Sequence, residues 1–140
     1  MPKLATIKEL VNDASMELGI AQSEVSNVTG THDQDIVQLR ALLGAVADEI
    51  LMEEPYRRSL GDGVWISDRY GVKKPAFTAD TDLVLFDKRL AINGMKFRFL
   101  KAKGLEFGEE LRDFAARLNK LAGVVNGRVL DLDVEEDREI

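Results

Sequence analysis

The stretch Lys88-Arg89-Leu90-Ala91-Ile92-Asn93-Gly94-Met95-Lys96-Phe97-Arg98-Phe99-Leu100-Lys101-Ala102-Lys103 decides how this chain folds. Within it Leu90, Ala91, Ile92, Met95, Phe97, Phe99 and Leu100 fall on nearly every side of a helix, the mark of an element enclosed by other elements. Six cations, Lys88, Arg89, Lys96, Arg98, Lys101 and Lys103, share the span with no acid among them, so parts of the helix must reach solvent or an acidic partner.

Working outward, Gly104 separates this helix from a second one, in which Phe107, Leu111, Phe114, Leu118 and Leu121 recur at steps of four and three until Gly123 stops it. The two form a helical hairpin. Upstream, Thr6 with Glu9 makes a capping box, and Ile7, Leu10, Val11, Ala14 and Leu18 repeat at helical spacing up to Gly19. A loop follows, with one short turn around Ser23 to Val25. Thr31 and Gln34 make a second capping box, and Ile36, Leu39, Leu43, Val46 and Ile50 continue to about Glu54, where Pro55 disfavours further helix. Between Asp33 and Glu54 stand six acids and one base, Arg40. The two most regular apolar stripes, Leu39 to Ile50 and Phe107 to Leu121, are expected to pack on each other.

Residues 55–79 hold neither period. Gly61-Asp62-Gly63 signals a tight turn, and Val64, Trp65 and Ile66 suit a short strand paired near Ala76 and Phe77. Trp65 and Tyr70 have the chemistry to stack on a base or sugar, but a single Trp reads first as an anchor pinning the loop to the helices. At the other end Leu130, Leu132 and Val134 alternate with Asp131 and Asp133, beyond a hairpin-like Asn126-Gly127. Such a strand either folds back on Val124 and Val125 or adds to another chain's edge. The expected fold is therefore mainly α: a four-helix bundle-like unit over residues 1–123, an irregular loop with a short β-hairpin inserted at 55–81, and an extended acidic arm over 124–140.

At 140 residues the chain fits one domain that buries roughly 68% of its unfolded surface. With no cysteine it has no disulfide, thiolate metal site or cysteine nucleophile. Charges interrupt the first twenty residues and no apolar run approaches a membrane span, so a cytosolic, unprocessed protein is expected. A net charge of −6 opposes sequence-independent binding to nucleic acid, which relies on cations that neutralise phosphate.

Chemistry candidates are few. Asp80 and Asp82 form an Asp-Thr-Asp motif that suits a divalent ion or an acid/base pair, but such a motif at a helix start is expected to cap backbone N–H groups. The lone His32 has no second histidine to complete a metal site. No phosphate-binding glycine loop or nucleophile elbow is present, so neither enzyme activity nor a cofactor is expected. The charge layout says more. Basic helix, acidic second helix and acidic arm either pair inside the fold or meet across chains, and a heterologous contact of the second kind makes a ring when the rotation closes.

The order of these elements, with residues 6–19 opening the chain and residues 79–110 carrying Asp80-Thr81-Asp82 and Lys96-Phe97-Arg98-Phe99-Leu100-Lys101-Ala102-Lys103-Gly104, resembles the head-to-tail adaptor (connector) proteins of tailed bacteriophages. The resemblance spans about residues 6–121. It implies a helical subunit at the virion neck, assembled in the host cytoplasm as a ring, dodecameric like a portal, that extends the DNA channel and receives a tail or nozzle protein. It brings no catalytic residue. On this reading the six cations, Trp65, Tyr70, Leu130, Leu132 and Val134 are candidate contacts with neighbouring copies or the portal. Two rivals stand beside it: a regulatory protein presenting the basic helix to nucleic acid or an acidic partner, and a metal-dependent hydrolase built on Asp80, Asp82 and His32.

Overall fold

In the computed structural model, which describes residues 4–20 and 27–125, the helix α4 (Lys88–Ala102) runs through the middle of the protein. Leu90, Ala91, Ile92, Gly94, Met95, Phe97 and Phe99 are buried on it, because α1 (Ile7–Glu17), α2 (Gln34–Leu51) and α5 (Gly108–Val125) all pack against it. The all-round apolar pattern is explained by this enclosure. Mainly α is the fold class, with five helices among the described residues rather than four and a three-stranded antiparallel sheet.

The additional helix is α3 (Glu54–Leu60). Pro55 does not prolong irregular chain; it sits in the first turn of a new helix, where a missing N–H costs nothing. α2 accordingly stops at Leu51, short of the expected Glu54, and Arg57 Nη1 donates to the carbonyls of Leu51 and Met52 at its end. The start of α2 also differs from expectation. Its cap is Asp33, whose carboxylate accepts from the N–H groups of Asp35 and Ile36, while Thr31 accepts one step upstream from Asp33. A carboxylate at that end suits the helix dipole better than a hydroxyl. At α1 the Thr6–Glu9 capping box is present, and Gly19 takes φ 77° beyond its end.

Between α3 and α4 the chain makes a small sheet of order β2–β1–β3, with β1 (Ile66–Ser67) between β2 (Lys73–Lys74) and β3 (Leu83–Val84). Ile66 faces Lys74 on one side and Val84 on the other. Lys73 and Lys74 thus take the place expected for Ala76 and Phe77, and Phe77 packs edge-on to Trp65 instead, with ring centroids 5.6 Å apart. The opening segment is stitched to this sheet: Val84 N–H donates to Ala5 C=O at 3.0 Å, and Thr6 bridges to Leu83.

After a turn with Gly104 at φ 74°, α5 folds back along α4 and passes through Gly123 to Val125, so neither the helix stop at Gly123 nor a strand at Val124 and Val125 holds. The α5 stripe packs on α4 and α3; it does not lie along α2 as expected, because α4 stands between them. Contact across α4 is local to Gly94. A Cβ built there would lie 2.6 Å from Val46 Cγ1 and 3.0 Å from Phe114 Cε1, so the glycine is what lets both neighbours close in. Gly94→Ala gains about 1 kcal/mol of helix propensity but overpacks the site by about 1–3 kcal/mol. Val46 is β-branched and held to one rotamer in its helix, so it cannot swing aside. A lowered melting temperature is the expected outcome, and a raised one would show the site to be slack.

Candidate interaction surfaces

Five of the six cations between Lys88 and Lys103 find acids inside the protein. Lys88 pairs with Asp13 at 3.0 Å, Arg89 and Lys96 share Glu17 at 2.9 and 3.1 Å, Arg98 pairs with Glu49, and Lys103 approaches Asp35 at 3.6 Å. Burial raises the Glu17 pKa, but the hydrogen bonds from Arg89 and Lys96 outweigh it and hold the carboxyl below its ordinary value. Lys101 is exposed, with Nζ 5.9 Å from the centre of the Phe107 ring and no ion pair among the described residues. These pairs are half-exposed, worth about 0–1 kcal/mol each, and they fix how α1 and α2 sit on α4 more than they add stability. No face carries all six cations free.

Asp80 and Asp82 do accept backbone N–H groups, but those of loops rather than of a helix. The Asp80 carboxylate takes Val28 and Thr29 N–H, both at 2.8 Å; Asp82 takes Thr78 at 2.8 Å and Ala79 at 3.1 Å, plus Lys74 Nζ at 2.7 Å. In both, burial raises the pKa and the donors more than reverse it, so each stays below its ordinary value. Their backbone carbonyls reach a helix start after all. Asp82 C=O accepts from Ile7 N–H at 2.9 Å and Asp80 C=O from Lys8 N–H at 3.4 Å, at the first turn of α1. The side-chain cap of α4 is a different residue, Asp87, which accepts from Leu90 N–H and is clamped by Arg117 through two bonds of 2.9 and 3.0 Å. His32 is exposed, and no group of three metal-ligating side chains occurs among the described residues.

Trp65 is an anchor, stacked on Phe86 at 5.7 Å and edge-on to Phe77. Tyr70 is the opposite, 76% exposed beside Val72 at 61%, on a turn held by the Asp68 carboxylate, which accepts the N–H groups of both. Trp65 also lines an open cleft of about 470 Å³, walled by Val37, Arg40, Ala41 and Gly44 of α2 on one side and by Ile66, Pro75 and Phe77 on the other. Arg40 is a wall residue that the sequence signals only by its isolation in an acidic helix. Its Nη1 donates to the carbonyls of Val28 and Thr29 at 2.9 and 2.8 Å, and among the described residues it has no acidic partner. The Ser23–Val25 turn, the Asn126-Gly127 hairpin and the arm residues Leu130, Asp131, Leu132, Asp133 and Val134 lie outside the described residues. Comparison with protein-family models, curated proteins and solved structures found no match for this chain. No helix among the described residues is long and apolar enough to cross a membrane.

Proposed function

We propose that the chain is a structural assembly subunit, a head-to-tail adaptor of a tailed bacteriophage that forms a ring beneath the portal, extends the DNA channel and offers the tail its docking surface. The observation that carries this reading is the division of labour among its charged and apolar groups. Five of the six cations of the basic segment are paired within the fold by Asp13, Glu17, Asp35 and Glu49, while a braced turn holds Tyr70 and Val72 outward and an apolar cleft stands open. Rigid aromatic side chains held outward are the usual anchors of protein contacts. A net charge of −6 also suits a channel in which DNA slides without being gripped. The ring's partners are further copies, dodecameric by resemblance, with the portal and a tail or nozzle protein, at the virion neck. The rival regulatory reading needs the six cations exposed together, and internal pairing works against it.

Electron microscopy of the native particle tests the proposal by placing the chain at the neck or elsewhere. A chain ending at Gly127 is expected to keep its helical circular dichroism and melting temperature and to lose particle assembly. Normal assembly by that shortened chain would make the arm dispensable. A salt-dependent gel shift with duplex DNA at submicromolar protein would favour the regulatory reading instead.

A further inference from the structure

The cleft between α2 and the sheet combines features that define its occupant. Val37, Ala41, Trp65, Ile66, Pro75 and Phe77 make it apolar, and its volume of about 470 Å³ falls in the range of roughly 300–1,000 Å³ that holds a ligand or a short segment. On its wall Arg40 is positioned by two backbone carbonyls and, among the described residues, lacks an acid, unlike most cations of α4. At Gly44 a Cβ would meet nothing within 4 Å, so the α2 wall is open at its middle. An occupant should therefore be extended, apolar on one face and acidic on the other.

The chain itself contains such a segment. In an extended conformation Leu130, Leu132 and Val134 would share one face and Asp131 and Asp133 the other, and Asp131 to Ile140 hold six acids against one Arg. α5 passes the start of α4, where Arg117 clamps Asp87, and the described residues end at Val125, five positions before Leu130. Resting on the ring proposed above, we infer that the cleft is the socket for residues 130–134 of a neighbouring copy, apolar side chains against Trp65 and Phe77 and carboxylates against Arg40. Each copy then carries one socket and one arm, the two unlike partners of a heterologous contact, which makes a ring when the rotation closes.

The test uses the full chain, with assembly mass by mass photometry and the emission of Trp65, the only tryptophan, as readouts. Gly44→Leu fills the cleft and raises helix propensity, so it should stay folded and fail to assemble. Arg40→Glu and the pair Asp131→Arg with Asp133→Arg should each fail alone and assemble when mixed, since every socket then meets an arm of opposite charge. Normal assembly of Gly44→Leu overturns the inference. So does a mixture that stays apart while one chain bearing all three charge changes recovers its Trp65 emission, because the arm would then sit in its own socket. If the unmodified chain never assembles, a peptide of residues 128–138 decides. A shift of Trp65 emission that weakens about tenfold in affinity in Gly44→Leu keeps socket and arm and removes the ring; an unmoved emission removes the socket.

Discussion

Phe114→Ala lowers the stability of this protein by about 3–5 kcal/mol, the range for truncating an aromatic side chain in a core that cannot collapse. Phe114 is 1% exposed, and its ring centroid lies 5.3 Å from that of Phe97. Ring pairing of that kind contributes about 0.5–1.5 kcal/mol beyond burial. Relaxation is blocked on the remaining side, where Gly94 has no side chain to offer and Val46 is held to one rotamer. Against a total of about 5–15 kcal/mol the loss is a large share, read as a displaced denaturant midpoint at unchanged slope. Leu111→Ala on the same helix, at a site 38% exposed, should cost less than about 1 kcal/mol. Equal effects of the two changes would mean that α5 does not press its Phe114 side into the core.

Asp82→Ala should be nearly as damaging, at about 3–5 kcal/mol. The carboxylate is 2% exposed and gathers the N–H groups of Thr78 and Ala79 with Lys74 Nζ. Its loss leaves the Thr78 and Ala79 N–H groups without an acceptor, and Lys74 Nζ with Thr78 Oγ1 alone, in a site that water does not freely reach, each orphaned N–H costing about 1–3 kcal/mol. The same group makes stability depend on pH. Glu17, Asp80, Asp82 and Asp87 all have pKa values below their ordinary ones in the folded protein. Groups of that kind give their full contribution above the unfolded values, near pH 4, and lose it as the pH falls through the folded values. Thermal melts should therefore hold from neutral pH down to about pH 4 and drop below it. In Asp82→Asn the drop should be shallower. An unchanged acid limb in that variant would remove Asp82 from the titrating set.

What the sequence made legible follows periodicity. α4 was readable as an enclosed helix because Leu90 to Leu100 are apolar all round, and the Thr6–Glu9 cap was readable because both partners lie within one turn. Pro55 misled because a proline that ends one helix and a proline that begins another look alike without the neighbouring fold. The facing of the α2 and α5 stripes failed for a related reason: a stripe tells that a face is buried but not against what, and α4 came between. Asp80 and Asp82 read as helix caps but accept N–H groups of loops instead, because a carboxylate does not announce whose donors it takes. Val28 and Thr29 stand some fifty positions from Asp80, a distance over which sequence pattern carries nothing. Which acids neutralise Arg89 and Lys96 is equally a matter of packing, since Glu17 is one acid among 25.

The capping of α1 by the carbonyls of Asp80 and Asp82 also sets a timetable for synthesis. Ile7 must wait for Asp82, 75 positions later (82 − 7), before its N–H meets its partner. At about 5–20 residues per second that is roughly 4–15 s on the ribosome. During this interval α1 has its own Thr6–Glu9 box but neither the loop that completes its first turn nor the α4 surface that covers its apolar stripe. A nascent chain paused before residue 82 should therefore be cut readily by protease within α1, and one extended past Ala102 should resist. Among the described helices, α1 is the first to be made and among the last to be secured.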